Sequence, residues 1–222
     1  MSDRQAKDAL FDAFAEVAKA LASGRRAEII DVLAQGERSV EEIATELGQS
    51  VANTSHHLRA LARAGLVATR RDATRIFYRL ASDRVASLWA AMRDVAADHV
   101  AGIDRLAEAY LGDRDGLEAI SQQELAARLA RGDLVVLDVR PEPEFRAGHI
   151  TGARSVPLSE LRRSLRALPK GAEVVAYCRG RYCVYADEAV RELGRRGYRA
   201  KRLEDGFPEW KRAGRPVTTG QD

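Results

Sequence analysis

Thiols are scarce in this sequence. Cys178 and Cys183 are the only cysteines among 222 residues, and they stand five positions apart. In a reducing compartment a structural disulfide is disfavoured, so the close spacing turns attention to reactive chemistry. Long apolar runs are also missing: no stretch approaches the roughly 20 residues needed to span a bilayer. The opening segment MSDRQAKDALFDAF lacks an apolar core followed by a small-residue cleavage site, so no secretory leader is read. These absences predict a cytoplasmic protein with no membrane partner. Internal repeats and low-complexity segments are lacking as well.

What is present suits two domains of roughly 100 residues each. The apolar fraction, 45%, is ordinary for a globular protein. The net charge of +3 is small, but its distribution is informative. Between His56 and Arg79 stand six arginines (Arg59, Arg63, Arg70, Arg71, Arg75 and Arg79) and one acid, Asp72. Such a stretch is either the footprint of a phosphate-binding surface or a solvated face.

The first third reads as helices. Leu10, Phe14, Val17 and Leu21 recur at helical spacing, and Ile29, Ile30 and Leu33 follow in a second helix closed by Gly36. Ser39 and Glu42 form a capping box for a third helix, with Ile43 and Leu47 inward. Gly48 breaks that helix with a tight turn. Ser50 caps the next, VANTSHHLRALARA, whose expected buried face is Val51, Leu58 and Leu61. Two helices joined by a short glycine-containing turn make a helix-turn-helix. After Gly65 the period becomes strand-like, with a hairpin, or wing, around Arg71–Thr74. Residues 82–111 read as one long helix, and the polar stretch GDRDGLE, 112–118, as a linker.

A helix-turn-helix places its second helix in the major groove, so the outward positions there must be able to hydrogen-bond. The candidates are Ser50, Asn53, Thr54, His56 and Arg59. Asn suits adenine, Arg suits guanine, and Ser or Thr suits bases or phosphates. Arg70, Arg71 and Arg75 on the wing would reach phosphates or the minor groove. Of the adjacent histidines, His57 is read as packed in the helix interface. The runs TSHHLRALARAGLV (54–67) and RRDATRIFYRL (70–80) resemble the ArsR family of winged-helix repressors. The resemblance covers about the first 100 residues. It implies a homodimer built from the first and last helices of the domain, on a palindromic double-stranded operator. Many relatives sense metals through cysteines near the recognition helix; this domain has none. Asp98 and His99 are adjacent and share no helix face, so with Asp94 they read as solvated rather than as a metal site.

Beyond the linker, strands and helices alternate: ISQQELAARLARG, LVVLDV, LSELRRSL, EVVAYC, ADEAVRELGRRG and YRAKRLE. That succession predicts an α/β domain with a mainly parallel sheet. EVVAYC ends at Cys178 and runs through Arg179 and Arg181 to Cys183 and a helix. A thiolate there would meet loop N–H groups, a helix N-terminus and two guanidinium groups, which lower its pKa and arm it as a nucleophile.

The segments LVVLDVRPEPEFRAGHITGARSVPL (134–158), VVAYCRGRYC (174–183) and LEDGFPEW (203–210) resemble a single-domain rhodanese. The resemblance implies that Cys178 takes sulfane sulfur from a donor as a persulfide and passes it to an acceptor, with a sulfane-sulfur donor or small thiol as partner and no cofactor. Asp138, Arg140, Glu144 and His149 are read as holding loops, and Trp210 as core. Common rhodanese loops carry Arg where this chain has Cys183; the loop resembles the CRG-x-YC type found in rhodaneses fused to ArsR domains. Cys183 is therefore either a resolving thiol or an inert packed residue. Val184 stands where cysteine phosphatases carry their phosphate-binding Arg, which excludes that class. The chain as a whole reads as an α+β winged helix-turn-helix domain (1–111), a linker (112–118) and an α/β rhodanese-like domain (119–222). Three functions stay open: a regulator, read as a repressor, that senses sulfur; a sulfurtransferase tethered to a DNA-binding domain; and a plain repressor whose rhodanese-like domain is only a dimerisation or partner module.

Overall fold

A computed structural model describes residues 2–169 and 171–220. The chain divides into two compact units, residues 1–95 and 96–222.

The first unit is helical with a small sheet. Helices α1 (Asp3–Leu21) and α2 (Gly24–Leu33) precede β1 (Arg38–Ser39), α3 (Val40–Glu46) and α4 (Val51–Arg63). The hairpin β2 (Val67–Asp72) and β3 (Arg75–Leu80) follows, and then α5 (Asp83–His99), which runs past the division. The capping box is formed: Ser39 Oγ accepts from Glu42 N at 3.3 Å, and Ser39 N donates to Glu42 Oε2 at 2.7 Å. β2 and β3 pair antiparallel from Val67 opposite Leu80 to Asp72 opposite Arg75, with β1 on the far side of β3. The two-residue tip puts Ala73 at φ 50°, a left-handed conformation unusual for a residue with a Cβ. The core gathers Leu21, Ile29, Ile30, Leu33, Ile43, Leu47, Leu58, Leu61, Leu66 and Tyr78. Asp31 on α2 ties down α5 by accepting from Trp89 Nε1 at 2.7 Å and pairing with Arg93 at 3.2 Å.

The stripe on α1 is exposed over most of its length, at Leu10, Phe11 and Phe14, and burial begins near Leu21. Two expectations change in this unit. Val51 is exposed rather than core. It opens α4, where side chains lean toward the N-terminus and past the packed layer. The long helix expected over 82–111 is two, α5 and α6 (Ile103–Leu111), broken where Gly102 adopts φ 88°.

The second unit is built on a five-stranded parallel sheet. It contains β4 (Ala119–Ile120), α7 (Gln122–Arg131), β5 (Val135–Asp138), α8 (Glu142–Ala147), β6 (His149–Ile150), β7 (Arg154–Ser155) and the single-turn helix α9 (Leu161–Ser164). There follow β8 (Glu173–Tyr177), α10 (Tyr185–Arg195), β9 (Arg199–Leu203), α11 (Phe207–Arg212) and β10 (Val217–Thr218). The strand order is β4-β9-β8-β5-β7, and β6 and β10 make a separate antiparallel pair. The helix expected at LSELRRSL is α9 with a 3₁₀ turn on each side.

Alternation along β8 sorts the two faces of the sheet. Val174, Ala176 and Cys178 face the side packed by Ala186, Ala189, Val190 and Leu193 of α10. Val175 and Tyr177 face the side packed by Ile120, Leu125, Phe207 and Trp210. Cys178, the first residue past β8, is thereby delivered to the N-terminal end of α10. Among the described residues no helix is long and apolar enough to cross a membrane.

Candidate functional site

The helix-turn-helix presents a polar edge along α4. Ser50, Asn53, His56 and Arg59 are exposed. Ser50 Oγ caps the helix by accepting from Asn53 N at 3.2 Å, and Asn53 Nδ2 donates to Gln49 Oε1 at 2.7 Å. Arg59 Nε rests on Ser55 O at 3.3 Å. Thr54, expected to face outward with them, does not. It is fully buried, one helical turn before Leu58 on the core-facing stripe, and its Oγ1 has no hydrogen-bond partner among the described residues. His57 is half-buried, and burial, His56 and the nearby Arg26 and Arg25 lower its pKa, which favours the neutral ring.

The wing arginines differ from one another. Arg70 forks onto Glu37 at 3.0 and 2.6 Å, reaches Asp72 at 3.3 Å and lies 4.8 Å from the Phe77 ring centre. Its charge is spent within the protein. Arg71 Nε donates to Ala73 O in its own turn at 3.3 Å, and Arg75 is exposed at the hairpin tip.

The second site is the turn from β8 into α10, Cys178 to Val184. It is held from three directions. From one side, Arg179 clamps Glu144 of α8 through Nε, at 3.1 Å to each oxygen, and through Nη2 at 2.5 Å. From a second, Phe207 N donates to Cys178 O at 3.0 Å, where α11 begins. Gly206 lies so close to this turn that a Cβ there would stand 2.2 Å from Gly180 N and 2.5 Å from Cys178 O. From a third, Arg114 donates to Arg181 O at 3.0 Å. The Arg181 side chain is exposed and lies 3.7 Å from Asp205.

Beneath the turn lies a buried polar network. Arg140 Nε and Nη2 bond Asp138 at 2.6–3.1 Å, Arg140 Nη2 reaches Gly148 O at 2.7 Å, and Tyr177 Oη donates to Asp138 at 2.7 Å. His149 stacks on Phe145 at 3.6 Å between ring centres. These groups brace strand ends and keep the base of the turn from shifting.

The two sulfurs form one chemical unit. Cys178 is 1% exposed and Cys183 is half-buried. The Cys178 Sγ donates toward two backbone carbonyls, that of Cys183 at 3.6 Å and that of Gly180 at 3.9 Å. Burial pushes the Cys178 thiol well up, and the neighbouring Cys183 adds to the rise, against the N–H groups of Ala186 and Gly180 that lower it. Cys183 is held down, first by the neighbouring Cys178 and then by the N–H groups of Arg179 and Tyr185 and the Arg179 charge. The direction at Cys178 is opposite to the expected lowering, because burial there outweighs the loop's N–H groups. Sequence reasoning missed Glu144 as the partner of Arg179, Gly206 as the spacer and Arg114 as a contact of the turn. LEDGFPEW was the one signal that pointed toward Gly206. Among the described residues no group of three or more His, Cys, Asp or Glu side chains is placed to hold a metal.

Comparison with known proteins agrees with both halves. Residues 23–69 match the bacterial regulatory protein, arsR family, and residues 121–213 match the rhodanese-like domain. The HTH-type transcriptional regulator Rv0324 of Mycobacterium tuberculosis is 47% identical over 219 residues, covering 99% of this chain and 95% of that protein. The homodimeric winged helix-turn-helix domain of Mb0332 from Mycobacterium bovis is 51% identical over 45% of this chain and 91% of its own, with a TM-score of 0.42. A rhodanese-related protein from Thermoplasma volcanium is 27% identical over 46% of this chain and 97% of its own, with a TM-score of 0.41. From the near full-length likeness and the two matched segments, the chain belongs to the ArsR family of bacterial transcriptional regulators, with a rhodanese-like domain behind its winged helix-turn-helix.

Proposed function

We propose that this protein is a homodimeric operator-binding regulator, a repressor, whose rhodanese-like domain takes up sulfane sulfur at Cys178 and thereby changes operator affinity. The observation that carries the sulfur half is the thiol turn: the chain's two cysteines stand at its two ends, with the Cys178 sulfur 3.6 Å from the Cys183 carbonyl, and Glu144, Gly206 and Arg114 brace the turn from three directions.

This arrangement suits a two-step reaction. Cys178 attacks the terminal sulfur of a persulfide or polysulfide donor while its proton passes to the Cys183 thiolate. The donor's S–S bond breaks, the donor leaves as a thiolate, and Cys178 holds the terminal sulfur as a persulfide. Cys183, once deprotonated, attacks the inner sulfur and expels hydrosulfide, closing a Cys178–Cys183 disulfide. Over both steps the donor gains two electrons and the thiol pair loses them. Two features favour sensing over turnover. Cys183 replaces the Arg of common rhodanese loops, and Arg179 is committed to Glu144.

For the DNA half, Asn53, His56 and Arg59 form the base-reading edge of α4, with Ser50 at its cap and Arg71 and Arg75 reaching phosphates. Leu10, Phe11 and Phe14 on α1, and Leu88, Met92 and Val95 on α5, are exposed apolar side chains. A second copy covering them gives the two-fold symmetry that a palindromic operator requires.

The test is operator affinity of reduced and polysulfide-treated protein, with mass spectrometry of the peptide containing both cysteines. A change in affinity that accompanies persulfide or disulfide formation and disappears in Cys178→Ser supports the reading. Unchanged affinity with Cys178 shown to be modified refutes it. Steady turnover of thiosulfate with a cyanide or thiol acceptor, without any effect on the operator, would make the domain an enzyme.

A further inference from the structure

The segment expected to be a plain linker is fastened to the sulfur site. Arg114, at its centre, sends Nε to Asp187 Oδ2 at 2.6 Å and Nη1 to the Arg181 carbonyl at 3.0 Å. Asp187 lies in the first turn of α10 and is essentially inaccessible. The Arg181 carbonyl belongs to the middle of the Cys178–Cys183 turn. One guanidinium thus spans the helix that follows the turn and the turn itself.

The neighbouring contacts act in the same sense. Arg191 of α10 donates to the Asp113 carbonyl. Arg202 N on β9 donates to Glu118 O at 2.9 Å. Gly112 and Gly116, on either side of Arg114, have φ of 70° and 79° and open space where a Cβ would stand. The fastened stretch is therefore flanked by two points where the backbone reverses with little resistance.

The Arg181 carbonyl lies on the stretch of backbone between the two sulfurs. In the reduced turn Cys183 N donates to Gly180 O at 3.1 Å, and the Cys178 sulfur lies 3.6 Å from the Cys183 carbonyl. An added sulfur atom at Cys178, or an S–S bond drawing the two side chains together, acts on the peptides between them, and Arg181 is one of these. A planar fork holds two acceptors only while both keep their places.

We propose that Arg114 is a positioning residue that couples the thiol turn to the linker. It holds the linker on α10 while the turn is reduced and lets it go when sulfur chemistry moves the Arg181 carbonyl. The inference rests on the sulfur reading above for its trigger, but the coupling runs in both directions and is measurable without that trigger. Loosening Arg114 must also alter the thiols.

Two variants of the full-length protein test this. Arg114→Lys keeps a positive charge for the buried Asp187 and cannot fork to the carbonyl; Arg114→Ala removes both contacts. The first readout is the pH profile of alkylation at Cys178 and Cys183 in untreated protein. The second is amide hydrogen exchange across residues 112–118, before and after polysulfide. In the parent protein, exchange is slow when reduced and rises about tenfold on treatment, within the roughly 5- to 150-fold range of coupled sites. In Arg114→Lys it is fast in both states, and the alkylation profile shifts while the melting temperature stays near that of the parent. An unshifted profile together with parent-like exchange in folded Arg114→Lys overturns the coupling, whatever polysulfide does. If polysulfide modifies neither cysteine in the parent, the sulfur reading fails; the profile and the exchange of the untreated variants still decide the role of Arg114.

Discussion

Replacing Gly206 with alanine tests whether close backbone approach sets the geometry of the thiol turn. The backbone at this position, φ −138° and ψ −167°, is open to alanine, so the cost is one of space. A Cβ would stand 2.2 Å from Gly180 N and 2.5 Å from both Cys178 O and Gly180 Cα, where ordinary contact begins near 3.4 Å. All three are backbone atoms, so no change of rotamer relieves the clash. The turn and the start of α11 must part by more than an ångström, which breaks the 3.0 Å bond from Phe207 N to Cys178 O. Overpacking of this kind costs about 1–3 kcal/mol, and a lost buried hydrogen bond adds about 1 kcal/mol. Thermal denaturation should show a melting temperature lower by on the order of 10 °C. Misplacing the reacting sulfur by about 1 Å should slow persulfide formation by roughly 10²-fold, followed by mass spectrometry. Gly194→Ala is the control. It lies inside α10 with open space at the Cβ, and alanine should raise stability by roughly 0.5–1 kcal/mol. If Gly206→Ala melts and reacts like the parent, close approach does not position the turn.

Further outcomes follow from the same structure. Iodoacetamide should label Cys183 before Cys178, because Cys178 is fully buried and Cys183 only half-buried; peptide mass spectrometry giving the opposite order would refute the assignment. Arg59→Ala should cost about 1–3 kcal/mol at the operator and relax base preference, measured by competition with altered sites. Arg71→Ala should weaken binding to all sequences and lower the slope of log K against log salt by about 1, whereas Arg70→Ala should leave that slope nearly unchanged, because Glu37 and Asp72 already occupy its charge. Ala73→Gly should stabilise the first unit by about 0.4–1 kcal/mol in denaturant titrations by removing a Cβ from the left-handed hairpin tip; no gain would mean that the tip carries no strain.

Local rules made much of the fold legible. The Ser39–Glu42 capping box, the period change after Gly65 and the apolar run before Cys178 each placed an element. What was hidden has physical causes. Thr54 is polar by composition yet occupies a core position, because its place on the helix, not its hydroxyl, decides its direction. Val51 is apolar yet exposed, because a helix start overhangs the layer beneath it. The Phe14 stripe has the periodicity of a core helix, and periodicity cannot say whether the cover comes from the same chain. In the sulfur site, Cys178 and its turn could be read from adjacent residues. The clamp by Glu144, the close approach of Gly206 and the fork of Arg114 join positions far apart in sequence. The opposite directions in which the two thiols are pushed depend on relative burial, which composition does not encode.

The depth of Cys178 also bears on kinetics. Cys178, 1% exposed just past the end of a parallel strand, should meet reagent only when the turn above it opens. Its reaction should then be gated: at low reagent concentration the observed rate follows the concentration, and at high concentration it levels off at the opening rate, whichever small reagent is used. Reagents of very different intrinsic reactivity then share one ceiling, and that ceiling is a property of the protein.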